Sequence, residues 1–359
     1  MDLDVLDHTL AEIGEPPFRA RQVWEWAARG AASYNEMTNL PEALRETLSE
    51  RVPLSSLSLD RESHASDGTE KALFHTFDGR PLETVLMRYR GPKHSASMPN
   101  PSRGPKHSRG SKHSASMPNP SRGRRSLCLS SQSGCPLTCT FCATGSMAFG
   151  RNLTASEILD QALHFRRREP VDHAVFMGMG EPLLNLDNVL AACERLPDVG
   201  IHPSSTTIST VGWIPGIERL TERDGPTIRL ALSLHAPDDA LRSELMPVNE
   251  RYPLAEVLAA CRRWHAARHR KVFVEYLMLA GVNDRYEQAL QLAALLEPRG
   301  AFKVNLIPYN PTESQLAGSS REAIAAFRGV LEQRGVPATV RLTRGRDIHA
   351  ACGQLAASR

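Results

Sequence analysis

Residues 127–145 read LCLSSQSGCPLTCTFCATG, a short β-rich run that leads into three cysteines, Cys135, Cys139 and Cys142, spaced C-x3-C-x2-C. The run SLCLSS (126–131) predicts a strand, and Gly134 and Pro136 end it. From here to the C-terminus, strand and helix alternate. The predicted strands are SLCLSS, HAVFMG, STTIST, TIRLALSLH, KVFVEYLML and FKVNLIPY. Helical runs such as ASEILDQALHFRRR, LDNVLAACERL, PLAEVLAACRRWHAARH, YEQALQLAALL and SREAIAAFRGVLEQRG lie between and after them. Six β/α repeats predict a parallel sheet with helices outside. A closed eight-fold barrel takes about 250 residues; the shorter span predicts a partial (β/α)6 barrel, with a doubly wound open sheet as the alternative. A further strand, PATVRLTR, leads into the tail GRDIHAACGQLAASR. In such folds the loops at strand C-terminal ends carry function, and the cysteine triplet occupies one of them.

Upstream, residues 1–60 predict a small helical domain, with FRARQVWEWAARG and LPEALRETLSERV as its clearest helices. Residues 61–90 predict a β-hairpin extension, because two β-rich runs flank Asp78-Gly79. Residues 91–124 read differently. KHSASMPNPSRG occurs at 93–104 and again, unchanged, at 112–123, so the segment reads as a disordered basic insertion in a loop. The barrel with its tail then covers 125–359.

The net charge of +3 hides an asymmetry. No Asp or Glu occurs from Thr84 to Ser156, and eleven Lys and Arg do; outside that window 32 basic residues face 40 acidic ones, a net of −8. Positive charge beside the cysteine loop suits a polyanion such as RNA. A basic loop with no partner is the plainer reading. No apolar run reaches membrane-span length, and MDLDVLDHTL lacks the basic and apolar regions of a secretory signal. The expectation is a cytoplasmic enzyme whose seven cysteines are ligands, reactive thiols or core filler rather than a disulfide framework.

Three thiolates leave one corner short. A structural zinc site closes a tetrahedron, which here needs a histidine from elsewhere. Alternatively, three thiolates hold three irons of a [4Fe–4S] cluster and leave the fourth iron open to a non-protein ligand.

This pattern resembles the radical S-adenosylmethionine (SAM) superfamily. The sequence is similar in particular to the RlmN/Cfr family of RNA adenine methyltransferases, on its RlmN side. The resemblance rests on FRARQVWEW, EMTNLPEALRE, LETVLMRY, LCLSSQSGCPLTCTFCATG, RNLTASEI, VFMGMGEPLLNLDNV, STVGWIPGI, LALSLHAPDDALRSELMP, IPYNP and GRDIHAACGQL. These cover nearly all of the chain outside 91–124, which departs from the family's short turn.

The resemblance implies the rest of the site. Cys135, Cys139 and Cys142 become ligands of a [4Fe–4S] cluster whose open iron binds SAM. Two SAM molecules are used per turnover. Cys352 carries a methyl group as S-methylcysteine, and a 5′-deoxyadenosyl radical activates that methyl for addition to C2 of an adenine in 23S rRNA and tRNA. Cys128 resolves the adduct through a transient disulfide with Cys352, and Glu83 is the proton acceptor. Gly180, Glu181, Ser209, Ser233, Leu234, His235 and Asn310 become SAM contacts. A reducing donor of flavodoxin or ferredoxin type, a monomer and no membrane association are implied as well. Taken alone, Cys128 and Cys352 are no more than two small apolar side chains. Cfr-like methylation at C8, or a non-catalytic iron–sulfur or zinc RNA-binding protein, are the competing expectations.

Overall fold

The computed structural model describes residues 1–89, 123–312 and 314–356. The basic repeat expected at 91–124 falls outside these residues except at its end, where Arg124 already belongs to a strand.

The first residues form α1 (Leu3–Glu12), α2 (Phe18–Arg29) and α3 (Glu42–Arg51). The Asp2 side chain caps α1 by accepting from the Asp4 and Val5 amides, and α2 stops at Gly30, whose φ of 105° suits a residue without Cβ. Leu6, Leu10, Val23, Leu44 and Leu48 make a separate small core. Trp24 faces the other way, into the main core, and donates from Nε1 to Asp198 at 2.7 Å. One helix thus builds the small domain and docks it.

Next come β1 (Ser58–His64), β2 (Glu70–His75) and β3 (Pro81–Tyr89), an antiparallel meander. The Asp78-Gly79 turn lies between β2 and β3 as expected. The sequence gives no warning of β1, because SLDRESH is polar and mostly exposed; its strand state comes from pairing with β2. β3 pairs antiparallel with β4 (Arg124–Cys128), and from β4 on every neighbour within this sheet is parallel.

The cysteine loop follows β4, bracketed by the two-residue strands β5 (Gln132–Ser133) and β6 (Arg151–Asn152), which pair with each other. After it run α4 (Ala155–Arg166), β7 (His173–Phe176), α5 (Leu186–Val199), β8 (Thr206–Thr210), α6 (Ile214–Glu222) and β9 (Arg229–Ser233). Then come α7 (Asp239–Leu245), α8 (Leu254–Arg268), β10 (Val272–Met278), α9 (Tyr286–Leu295), β11 (Phe302–Pro308), α10 (Arg321–Gln333) and β12 (Ala338–Val340). Ten strands form one sheet in the order β1-β2-β3-β4-β7-β8-β9-β10-β11-β12. Its ends, β1 and β12, do not pair, so the parallel part is a partial barrel. The further strand expected at 337–344 is present but keeps only three residues.

Alternation along each strand separates lumen from helix layer. On β7, Ala174 and Phe176 are buried, whereas His173 and Val175 stay half-buried toward the lumen. Register carries the same parity around the sheet: Val85 faces Cys128, Cys128 faces Val175, Val175 faces Thr207 and Thr207 faces Arg229. The lumen side therefore presents Glu83, Cys128, Ser209 and Ser233 together.

Candidate active site

A cleft opens at the C-terminal ends of the parallel strands. Cys135, Cys139 and Cys142 line it, together with Gly180, Glu181, Ser209, Ser233, His235 and Cys352. A second cavity adjoins it, lined by Met87, Tyr89, Cys128, Asn310, Arg341 and again Cys352. Cys352 borders both cavities, as Met177 and Ile307 do, with the three loop cysteines on one side and Cys128 on the other. Leu234 and Glu83 line neither cavity. Leu234 is wholly buried, and its N–H donates to the Glu275 carbonyl at 3.1 Å.

The β7–α5 loop is built for close approach. Gly180 has φ of 95°, and a Cβ there would lie 2.5 Å from the Gln132 side chain. The Gln132 Oε1 accepts the Glu181 amide at 2.8 Å, and Gln132 Nε2 donates to Asn152 at 2.8 Å, which ties this loop to the strand pair around the cysteines. The Glu181 carboxylate is buried and accepts amides from Leu183 at 3.0 Å and Val211 at 2.9 Å. Burial nevertheless pushes its pKa up to about 7. Among the described residues, no Lys, Arg or His forms an ion pair with this carboxylate.

Ser209 and Ser233 approach each other, Oγ to Oγ at 3.5 Å. His235 is buried with φ of 60°, an uncommon value for a side chain with a Cβ. Its Nδ1 accepts the Leu277 amide at 3.0 Å, which fixes the proton on Nε2, and its ring stands edge-on to Phe141 at 4.8 Å. Burial lowers its pKa to about 3, so the ring is a neutral donor.

The three loop thiols are raised in two cases by burial first and then by one another: Cys135 goes up to about 12, and Cys139 moves further in the same direction. Among the described residues, no three His, Cys, Asp or Glu side chains converge as a single ion would require.

Sequence reasoning did not find Arg242. It is fully buried on α7 and, among the described residues, has no carboxylate in hydrogen-bond contact. It donates to the carbonyls of Leu234 at 3.2 Å, Ser233 at 3.3 Å and Val211 at 2.5 Å, and to Asn249 Oδ1 at 2.7 Å. One turn on, the Leu245 carbonyl accepts the Thr140 amide at 3.0 Å, between two loop cysteines. This short helix therefore ties three loops of the cleft together. Nothing in the one-dimensional pattern marks it, since Arg242 sits in an ordinary amphipathic run.

The tail is held by residues that are remote in sequence. Ser66 N–H donates to Asp347 at 2.9 Å and Gly345 N–H to Asp67 at 3.2 Å, both in the β1–β2 turn. Ala143 N–H, just past Cys142, donates to the Gly353 carbonyl at 2.8 Å, and Thr144 Oγ1 donates to the Leu355 carbonyl at 2.5 Å. Asn310, expected among the SAM contacts, accepts from Arg346 Nε at 3.1 Å and borders the second cavity instead of the first. Glu83 pairs with Lys71 at 2.7 Å and accepts the Ala356 amide at 3.0 Å. Cys352 is accessible, but only within this concave setting, where burial raises its pKa. Burial likewise pushes Cys128 up to about 12.

Residues 129–293 match the Radical SAM superfamily, and residues 1–54 match the ribosomal RNA large subunit methyltransferase N-terminal domain. The crystal structure of a radical SAM methyltransferase from Sphaerobacter thermophilus superposes with a TM-score of 0.85 at 42% identity, covering 100% of this chain and 98% of that one. A probable dual-specificity RNA methyltransferase RlmN of Thermus thermophilus is 42% identical over 98% of this chain and 92% of its own length. The dual-specificity RNA methyltransferase RlmN of Anaeromyxobacter dehalogenans is 41% identical over 97% of this chain and 88% of its own. Fold and cysteine loop place the protein in the class of radical SAM enzymes. Within that class, the chain belongs to the RlmN family. Membership in the superfamily implies a [4Fe–4S] cluster and SAM as cofactors, and the cysteines for such a cluster are present.

Proposed function

We propose that this protein methylates C2 of an adenine in 23S rRNA and in tRNA, using Cys352 as the methyl carrier. The observation that carries the reading is the position of Cys352, which borders both the cleft of the three cysteines and the cavity of Cys128.

The donor set fits a cluster. A single ion needs its ligands at one point, whereas a four-iron cluster takes one thiolate at each iron. Cys135, Cys139 and Cys142 would supply three, leaving the fourth iron for SAM. Bound there, cluster and SAM together supply a 5′-deoxyadenosyl radical. The amidine carbon of adenine is not nucleophilic, which is why a simple displacement on SAM does not serve and the cofactor carries the hard step.

The chain's own residues do the rest. Glu181 receives the SAM ammonium at its buried carboxylate. Gly180 lets the backbone lie against the ligand, and Ser209, Ser233, Leu234, neutral His235 and Asn310 complete its surroundings. The Cys352 thiolate would take a methyl group from a first SAM, releasing S-adenosylhomocysteine, and a second SAM would supply the chemistry that activates that methyl. Cys128 would release the product: its thiolate attacks the Cys352 sulfur, the S–S bond forms as the S–CH2 bond breaks, the freed methylene carbon takes up a proton to become the methyl, and the one surplus electron of the adduct returns to the cluster. Glu83, on the same sheet face as Cys128, accepts the proton lost from the ring. The small domain within residues 1–60 is an accessory RNA-recognition module, and a low-potential flavodoxin or ferredoxin delivers electrons to a monomer.

The test is nucleoside mass spectrometry after anaerobic reconstitution with iron, sulfide, SAM, a reductant and unmodified large-subunit rRNA. The expected product is 2-methyladenosine. Detection of 8-methyladenosine moves the protein to Cfr-type chemistry. SAM cleavage with no methylated adenosine overturns the substrate assignment. Cys352→Ala should keep its iron and lose all product, whereas a non-catalytic iron–sulfur protein has no product to lose.

A further inference from the structure

The other end of the barrel carries charge that the chemistry above does not use. The N-terminal ends of the parallel strands hold Arg124 on β4, His173 on β7, Arg229 on β9 and Lys303 on β11. Strand register puts all four on the lumen face. Ser126, two residues from Arg124, faces His173; Thr207 faces Arg229; and Ala231 faces Phe273, which faces Lys303. In a tilted barrel, residues at one height step by about one position per strand. With that step His173, Arg229 and Lys303 fall in one layer and Arg124 lies one position from it, all below the level of Cys128 and Ser233.

Electrostatics agree with this placement. Burial, then repulsion by Arg270 and by Arg124, lowers the Arg229 pKa. His173, lowered chiefly by burial, also feels Arg124 and Arg229. Neutralisation is sparse. Asp172 holds His173 and accepts the Arg125 amide at 3.1 Å. Among the described residues, no ion pair joins a carboxylate to Arg124, Arg229, Arg270, Lys271 or Lys303. Neighbouring Arg88 and Arg125, on the outer face, contrast with them, since both pair with Glu169. Arg124 also lies over the ring of Tyr89 at 4.4 Å, a side chain that reaches from this rim to the wall of the second cavity. Tyr89 and Arg124 are, in addition, where the acid-free stretch 90–122, with seven Lys and Arg, joins the sheet.

We propose that this cationic barrel floor is a second RNA contact, which binds the phosphodiester backbone of the substrate at the opposite end of the barrel from the SAM cleft. It rests on the reading that the substrate is RNA. Like charges gathered at one end of the barrel repel, and a polyanion relieves the repulsion while releasing its own counterions. The contact is blind to sequence; it adds affinity and orientation, and the cleft chooses the base.

The experiment compares the full, reconstituted enzyme with Arg124→Gln/Arg229→Gln/Lys303→Gln and with Arg124→Lys/Arg229→Lys. Binding of a large-subunit rRNA transcript is measured over a salt series, and SAM cleavage by reductant is measured without RNA. The Gln variant should bind RNA roughly tenfold or more weakly at moderate salt, and its log–log salt slope should fall by about two to three, at 0.7–0.9 per lost contact. The Lys variant should bind like the parent, and RNA-free SAM cleavage should be unchanged in both. An unaltered slope in the Gln variant overturns the proposal, and so does an equal loss of affinity in the Lys variant. Wild-type enzyme that binds RNA but makes no methyladenosine overturns the catalytic reading instead and leaves this one standing.

Discussion

The backbone N–H of Ala356 donates to Oε2 of Glu83 at 3.0 Å, while Oε1 of the same carboxylate pairs with Lys71 Nζ at 2.7 Å. A strand of the antiparallel extension thereby grips the chain four residues beyond Cys352. Glu83→Ala leaves the Lys71 ammonium and a tail amide without this partner in a buried place. We expect a loss of about 3 kcal/mol of stability and a tail that is cut faster by protease. Thermal unfolding and limited proteolysis followed by mass spectrometry check this. Intact wild-type protection in the variant would refute the latch.

Gly180→Ala places a methyl group 2.5 Å from Gln132 at a φ of 95°. Backbone strain of this kind costs on the order of 1–3 kcal/mol, and the displaced loop carries Glu181. SAM affinity should drop at least tenfold while iron content stays at the wild-type level. Calorimetric titration with SAM, alongside iron analysis, separates the two effects.

The carboxyl pKa of Glu181 is raised to about 7 by burial. An acid raised in the fold costs stability when it ionises, and the cost grows as pH rises from its unfolded value to about 7. SAM brings the compensating ammonium, so it favours the ionised form. Its dissociation constant should therefore fall as pH rises toward 7 and level off above it. Glu181→Gln should bind more weakly and without that pH dependence. A wild-type profile that is flat from pH 5.5 to 8 would argue against this role.

Arg242→Met removes the donors to Leu234, Ser233, Val211 and Asn249 together. Leaving four buried acceptors short predicts a loss of at least about 3 kcal/mol. Because α7 also holds the Thr140 amide, the cysteine loop should loosen and iron per chain should fall. Arg242→Lys should recover part of both. Iron analysis of the two variants at matched folded fraction decides the point.

Much of the architecture was legible from local pattern. Strands such as TIRLALSLH and helices such as LDNVLAACERL carry their periodicity within a few residues, and Asp78-Gly79 marks its turn by chain chemistry alone. β1 was not legible, since its polar SLDRESH acquires strand form only from hydrogen bonds to β2. The cysteine triplet and the family pattern around it were legible too, because both depend on residue type and spacing. What the sequence could not give was convergence. Cys128 and Cys352 are separated by more than two hundred residues and become neighbours of one cavity only because the tail crosses the open side of the barrel, held by Asp67, Lys71, Glu83 and Thr144. Arg242 and the cationic floor belong to the same category: burial, register and strand tilt decide which charges face one another, and none of these is a property of a short stretch of sequence.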